Sequence, residues 1–175
     1  SSAASDVYKR QLEEANGNLE EAIKNLRKSS ALKAEKKASR TAVEGIITSK
    51  ISDKEITFVE VNCETDFVAK DENFINFCEE ALKVAVEASS EENLLDEVSE
   101  SMEKQRMSLV QKIGENIIIR KVRKITGEVL ESYIHSNKKI AAGVSLDQGS
   151  PEIEKEIAMH IAASNQIVLL SLIHI

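Results

Sequence analysis

Few residues of this 175-residue sequence are spaced for covalent chemistry. The three histidines, His135, His160 and His174, show no HExxH or other metal-ligand spacing. Neither a GxxxxGKS/T nor a GxGxxG pattern occurs, so the chain has no recognisable phosphate cradle of its own. No G-x-S-x-G nucleophile elbow is present. Carboxylates are numerous, but most fall on helix faces or in loops, where solvation is the usual explanation. Cys63 and Cys78 lie apart without a CxxC, so a disulfide framework is not expected. Two small buried apolar side chains in a reducing, cytoplasmic setting are the expectation instead. No enzyme, cofactor or metal is assigned. What remains is non-covalent contact, and Thr65-Asp66-Phe67-Val68 is best suited to it. Phe67 follows a strand, and an aromatic ring at such a junction brings a large contact area with only two torsions to freeze. The ordinary reading of a Phe after a strand is a core residue. Asp66 could equally cap the next turn.

Bulk properties narrow the partner class. The net charge of −7 argues against a general nucleic-acid binder, which needs clustered Lys and Arg, and suits a protein that meets other proteins. With no Trp and few aromatics, Leu, Ile, Val and Ala must fill the core. No apolar run approaches the ~18 residues that span a bilayer. The first residues lack the charged start and apolar stretch of a signal peptide.

The elements that must position these residues suggest an α+β chain. Residues 1–11 carry no clear period and are expected to be non-native or disordered. Ala15-Asn16-Gly17 reads as a helix end, with Gly17 at positive φ. Asn18 with Glu21 reads as a capping-box-like pair opening a helix whose stripe is Leu19, Ala22, Ile23 and Leu26. Residues 12–28 thus read as a short helical hairpin, and 29–41 as a basic, solvated, partly helical linker. A hairpin follows, 43–51 and 56–61, turned by Ser52-Asp53-Lys54. Two helices come next. One has a face of Phe74, Phe77, Cys78, Ala81, Leu82 and Ala85. The other has Leu95, Val98, Met102, Arg106, Leu109 and Ile113, and ends at Gly114. A strand over 116–122 and a second hairpin, 128–135 and 139–146, are expected. Ser150-Pro151 opens the last helix, with an apolar stripe of Ile153, Ile157 and Ile161. The tail, residues 167–175, is a continuous apolar-rich run.

Val61-Asn62-Cys63-Glu64-Thr65-Asp66-Phe67-Val68-Ala69-Lys70 resembles the signature of the elongation factor Ts family. Further stretches resemble it in order. Glu14-Ala15-Asn16-Gly17 with Ala22-Ile23 is similar to the second half of its UBA-like helical domain. Lys112-Ile113-Gly114-Glu115-Asn116-Ile117 is similar to its second core signature. Tyr133-Ile134-His135 and Ile157-Ala158-Met159-His160-Ile161-Ala162-Ala163-Ser164 resemble later elements. The family pattern has a further helix and a Cys-Lys-x-Ala-Leu segment before Leu12, and more of a second core subdomain beyond Asn165, so the chain is expected to be truncated at both ends.

The resemblance implies a UBA-like remnant over 12–28, then an antiparallel sheet packed with helices, with a first core subdomain over 42–126, an incomplete second over 127–165 and a non-native tail over 166–175. It implies a guanine-nucleotide exchange factor of translation elongation, working in the cytoplasm without chemistry of its own. The implied partner is elongation factor Tu, in its GDP-bound and nucleotide-free forms. Thr65, Asp66, Phe67 and Val68 would form the contact that dislodges the partner's Mg²⁺, and His135 a second contact near its phosphate loop. Homodimers belong to full-length members of such a family and are not expected of this chain, nor is direct binding of membrane or nucleic acid. The competing reading, a UBA-like or RNA-binding adaptor built on the helical remnant and basic linker, leaves the residues after 42 unexplained.

Overall fold

A computed structural model describes residues 9–10, 12–90, 92–146 and 151–163. The expectation for the tail 166–175 lies outside the described residues, as does that for 1–11 apart from Lys9 and Arg10, which are helical and exposed.

The chain turns at Asn16 and Gly17, both at positive φ, and Gly17 N–H donates to the Leu12 carbonyl. Asn18 then caps α1 (Leu19–Ala38) by accepting from the Glu21 amide at 3.2 Å. The segment read as a partly helical linker, 29–41, is helical through Ala38, where α1 ends, and leaves the helix at Ser39. Its run of Leu, Ala, Lys and Glu has high helix propensity, and no Gly or Pro interrupts it. Ala22 is covered, but Leu19 and Ile23 face solvent, because no described residues form a second surface over them.

Three antiparallel strands form the first sheet, β1 (Glu44–Ser52), β2 (Glu55–Cys63) and β3 (Ile118–Thr126), in the order β1-β2-β3. β2 runs two residues beyond its expected end. Asn62 can stay in the strand, although polar and buried, because its amide donates to the Glu44 carbonyl and accepts from Arg120. β3 likewise extends to Thr126 through Arg123 and Lys124, paired opposite Phe58 and Thr57.

Between β2 and β3 the chain forms a short 3-10 turn, Val68–Lys70, then α2 (Glu72–Glu87) and α3 (Leu94–Ile113). Their apolar faces cover one side of the sheet. Phe74, Phe77, Cys78, Ala81 and Ala85 of α2, with Val98, Met102, Leu109 and Val110 of α3, enclose Val59, Val61, Cys63 and Val122. This is the main core. The α2 face is the one expected, with Leu82 at its half-buried margin; Val110 joins the α3 face as well. Gly114 ends α3 in the left-handed conformation, φ 91°.

A second, two-stranded sheet, β4 (Val129–Ile134) and β5 (Ala141–Leu146), carries α4 (Pro151–Ala163). Ala142, Val144, Ala158 and Ala162 form a smaller cluster between them. This sheet lies against the face of the first that the helices leave open. A side chain at Gly143 would run into the Phe58 ring and Ile125. β2 is therefore covered on both faces, which explains why its apolar pattern only partly alternates. Among the described residues no helix is long and apolar enough to cross a membrane.

Candidate functional site

The end of β2 delivers the chain into Glu64-Thr65-Asp66-Phe67, and the first turn after it sorts these side chains sharply. Ala69 takes the buried position. Val68 is half-buried and packs against the main core. Phe67 is left 81% exposed, the most exposed large apolar side chain among the described residues. The other phenylalanines near it, Phe74 and Phe77, are buried. Phe67 itself has ordinary helical backbone angles, φ −65° and ψ −47°, so its exposure is not the result of a strained backbone.

Asp66 does not cap the turn. Its carboxylate pairs with Lys70 at 3.3 Å on the surface, a contact of little stabilising weight. Capping falls to neighbours. Thr65 Oγ1 accepts from the Val68 amide at 3.4 Å. Asp71 accepts from the Asn73 and Phe74 amides and starts α2, and its bonds to Asn73 hold its carboxyl below the usual range.

The loop is fastened from the far side by residues that follow Gly114. Glu115 Oε2 accepts from the amides of Glu64 and Thr65, both at 3.1 Å, and its Oε1 accepts from Thr65 Oγ1 at 2.7 Å. The Asn116 amide donates back to Glu64 Oε1 at 2.7 Å. The Asn116 side chain donates to the carbonyls of Ala38 and Arg40, which ties the end of α1 to the same place. Neither Glu115 nor Asn116 stands out by residue type. The sequence signal available was their place in Lys112-Ile113-Gly114-Glu115-Asn116, directly after a helix-ending glycine.

Cys63 Sγ donates to the Thr65 carbonyl at 3.2 Å. Burial, with the Glu115 and Glu44 carboxylates adding to it, pushes its thiol up to about 12. Cys78 is buried on α2 and shifted the same way by desolvation. Both cysteines are free, and they pack as small apolar side chains.

His135 lies where β4 leaves for the turn to β5, on the surface. Its Nδ1 is 2.9 Å from the Tyr133 hydroxyl. The turn it begins docks on the edge of the first sheet. The Ile47 amide donates to the Lys138 carbonyl, and Lys139 pairs with Glu44. Glu44 in turn stands opposite Cys63 in the strand register. The bond to Glu44 raises the Lys139 pKa, and the charge of Asp66 adds to that. The 64–67 loop and the 135–139 turn, distant in sequence, thus occupy one end of the molecule. Lys139, which makes this connection, was not singled out in the sequence. Among the described residues no group of three or more His, Cys, Asp or Glu side chains could hold a metal ion.

Comparison with known proteins gives the family of the chain. The model of the family described as Elongation factor TS matches residues 64–171, well over half of the chain. The chain belongs to the elongation factor Ts family. It is 51% identical over 159 residues to Elongation factor Ts of Marinobacter nauticus, covering 90% of this chain and 55% of that protein. Elongation factor Ts of Hahella chejuensis is 45% identical with the same coverage. That of Teredinibacter turnerae is 46% identical over 92% of this chain and 56% of its own length. The chain therefore spans about half the length of the elongation factor Ts relatives it matches.

Proposed function

We propose that this chain binds elongation factor Tu in the cytoplasm and promotes release of its GDP, without covalent chemistry of its own. Thr65, Asp66, Phe67 and Val68 form the primary contact and His135 the second. In this reading residues 12–28 contribute a UBA-like remnant, 42–126 the first core subdomain and 127–165 part of the second. The separate apolar clusters on the two sheets support that division.

The observation that carries the proposal is the Phe67 ring, almost wholly exposed on a loop whose backbone is hydrogen-bonded to the core. An exposed ring gains nothing for its own fold, and a fixed ring can displace part of a partner without first being ordered. A partner pocket that holds Mg²⁺ does so through phosphate oxygens, waters and a few protein groups in strict octahedral geometry. Small shifts of its wall therefore weaken ion and nucleotide together. Asp66, near the ring, would perturb that region electrostatically, and His135 would engage the phosphate-loop side.

The test is stopped-flow release of fluorescent GDP from elongation factor Tu. Phe67→Ala is expected to slow release by at least about tenfold, the loss of roughly one buried aromatic contact. Its melting temperature should stay within about a degree of the parent, since surface substitutions of this kind barely change stability. His135→Ala should slow release less. Unchanged release in Phe67→Ala refutes the wedge, and a larger effect at His135 means the anchors are assigned in the wrong order.

A further inference from the structure

We infer that Glu115 is a positioning residue for Phe67, one that fixes the loop in its projecting form before any partner arrives. The inference deepens the wedge reading above and rests on it for its functional half. Three hydrogen bonds of the Glu115 carboxylate go to two successive residues, Glu64 and Thr65, separated from the ring by Asp66 alone. Two are accepted from backbone amides, which sets the path of the chain and not merely the orientation of a side chain. Bonds to an ionised acceptor are roughly twice as strong as neutral ones. The third engages Thr65 Oγ1, which also accepts from the Val68 amide one residue beyond the ring. Phe67 is therefore bracketed, held on its N-terminal side by Glu115 directly and on its C-terminal side through Thr65.

The clamp is anchored in turn. Gly114 at φ 91° turns the chain out of α3 so that Glu115 and Asn116 face the loop. Asn116 returns a bond to Glu64 and is itself buried, with its side-chain amide donating to Ala38 and Arg40. Arg40 approaches Glu64 at 3.6 Å. Without the carboxylate, residues 64–67 would have two amides to satisfy elsewhere and an apolar ring free to fold back on its own surface. Binding would then have to order the loop first, and association with the productive state would fall by the fraction of molecules in the projecting form.

Two measurements on the full 175-residue chain decide the matter. Amide hydrogen exchange by NMR reports the loop in the absence of a partner. Glu115→Ala should accelerate exchange at Glu64 and Thr65 by about tenfold or more, with Val59 and Val61 in β2 unchanged. Glu115→Gln should lie between, because one carbonyl oxygen can still serve both amides. Equal exchange at Glu64 and Thr65 in parent and Glu115→Ala overturns the clamp. GDP release from elongation factor Tu reports the function. Glu115→Ala should slow it by about tenfold, Glu115→Gln should recover most of that, and Glu115→Ala should add nothing in a Phe67→Ala background. Fully additive slowing in the double variant would show that Glu115 acts apart from the ring and overturn the positioning role. A Phe67→Ala variant that releases GDP at the parental rate overturns the wedge, while the amide data still decide the clamp.

Discussion

At the scale of single residues, Phe67 and Cys63 show opposite uses of apolar side chains within a few positions. Phe67 is solvated and Cys63 is sealed. The sequence could not separate these outcomes by residue type alone, because a Phe after a strand is more often buried. The geometry of the turn decides it, with Ala69 taking the inward position and Phe67 the outward one. Cys63 carries a pH signature of that sealing. Its thiol is raised from 9.0 to about 12 by burial and by the Glu115 and Glu44 carboxylates. Below pH 9 the thiol is protonated in both folded and unfolded chains, so it makes stability no more pH-dependent. Between pH 9 and 12 the unfolded chain releases the proton and the folded chain does not, so stability falls as pH rises. From pH 8 to pH 10 the parent should lose about 1 kcal/mol through this residue. A Cys63→Ala variant starts lower because of the cavity it creates, but it should lose correspondingly less over the same interval. Urea midpoints at the two pH values check this, and parallel losses in both proteins would mean the thiol is not sealed.

At the scale of elements, much was legible because periodicity and punctuation agreed. Gly17 and Gly114 end helical segments as expected, and the α2 face of Phe74, Phe77, Cys78, Ala81 and Ala85 was readable from spacing alone. Residues 29–38 were read as only partly helical because their basic run suggested solvation, whereas propensity and the lack of breakers carry α1 through to Ala38. What one sequence position says least about is long-range polar satisfaction. Asn62, Glu115 and Lys124 find partners tens of residues away or on another element. Lys124 is the clearest stability case. From β3 its ammonium donates to the Val86 and Ala88 carbonyls at 3.0 and 2.9 Å, closing the C-terminus of α2, and it pairs with Glu55. Lys124→Met should cost about 1–3 kcal/mol, since two carbonyls lose a charged donor where water reaches poorly. At roughly 2–4 °C per kcal/mol for a chain of this size, a drop of several degrees in melting temperature should be visible. Lys121→Met is the contrast. Its pair with Glu60 is long, at 3.9 Å, and the lysine is more than half exposed, so the change should fall within about 0.5 kcal/mol. Equal shifts in the two variants would refute the helix-capping role.

At the scale of the whole molecule, the 64–67 loop belongs to the first sheet and the 135–139 turn follows a strand of the second. Lys138 and Lys139 join that turn to β1. Two contacts at one end of such a framework can act as a lever on a partner, provided they engage its nucleotide-free form better than its GDP-bound form. On the proposed reading, exchange is a coupling between two ligands of one GTPase, so the factor by which the chain would weaken GDP is also the factor by which GDP would weaken the chain. Each tenfold of that factor corresponds to about 1.4 kcal/mol of preference between the two forms. The ratio of the chain's dissociation constants for GDP-loaded and nucleotide-free elongation factor Tu therefore measures the lever directly. If the proposed contacts exist mainly in the nucleotide-free form, Phe67→Ala and His135→Ala should each lower this ratio, Phe67→Ala by about tenfold and His135→Ala by less. A residue that contacts both forms equally would weaken both constants together and leave the ratio untouched. Titration calorimetry against both forms distinguishes these cases. If Phe67→Ala weakens the two complexes equally, the ring is an adhesive contact and the nucleotide is released by some other part of the interface.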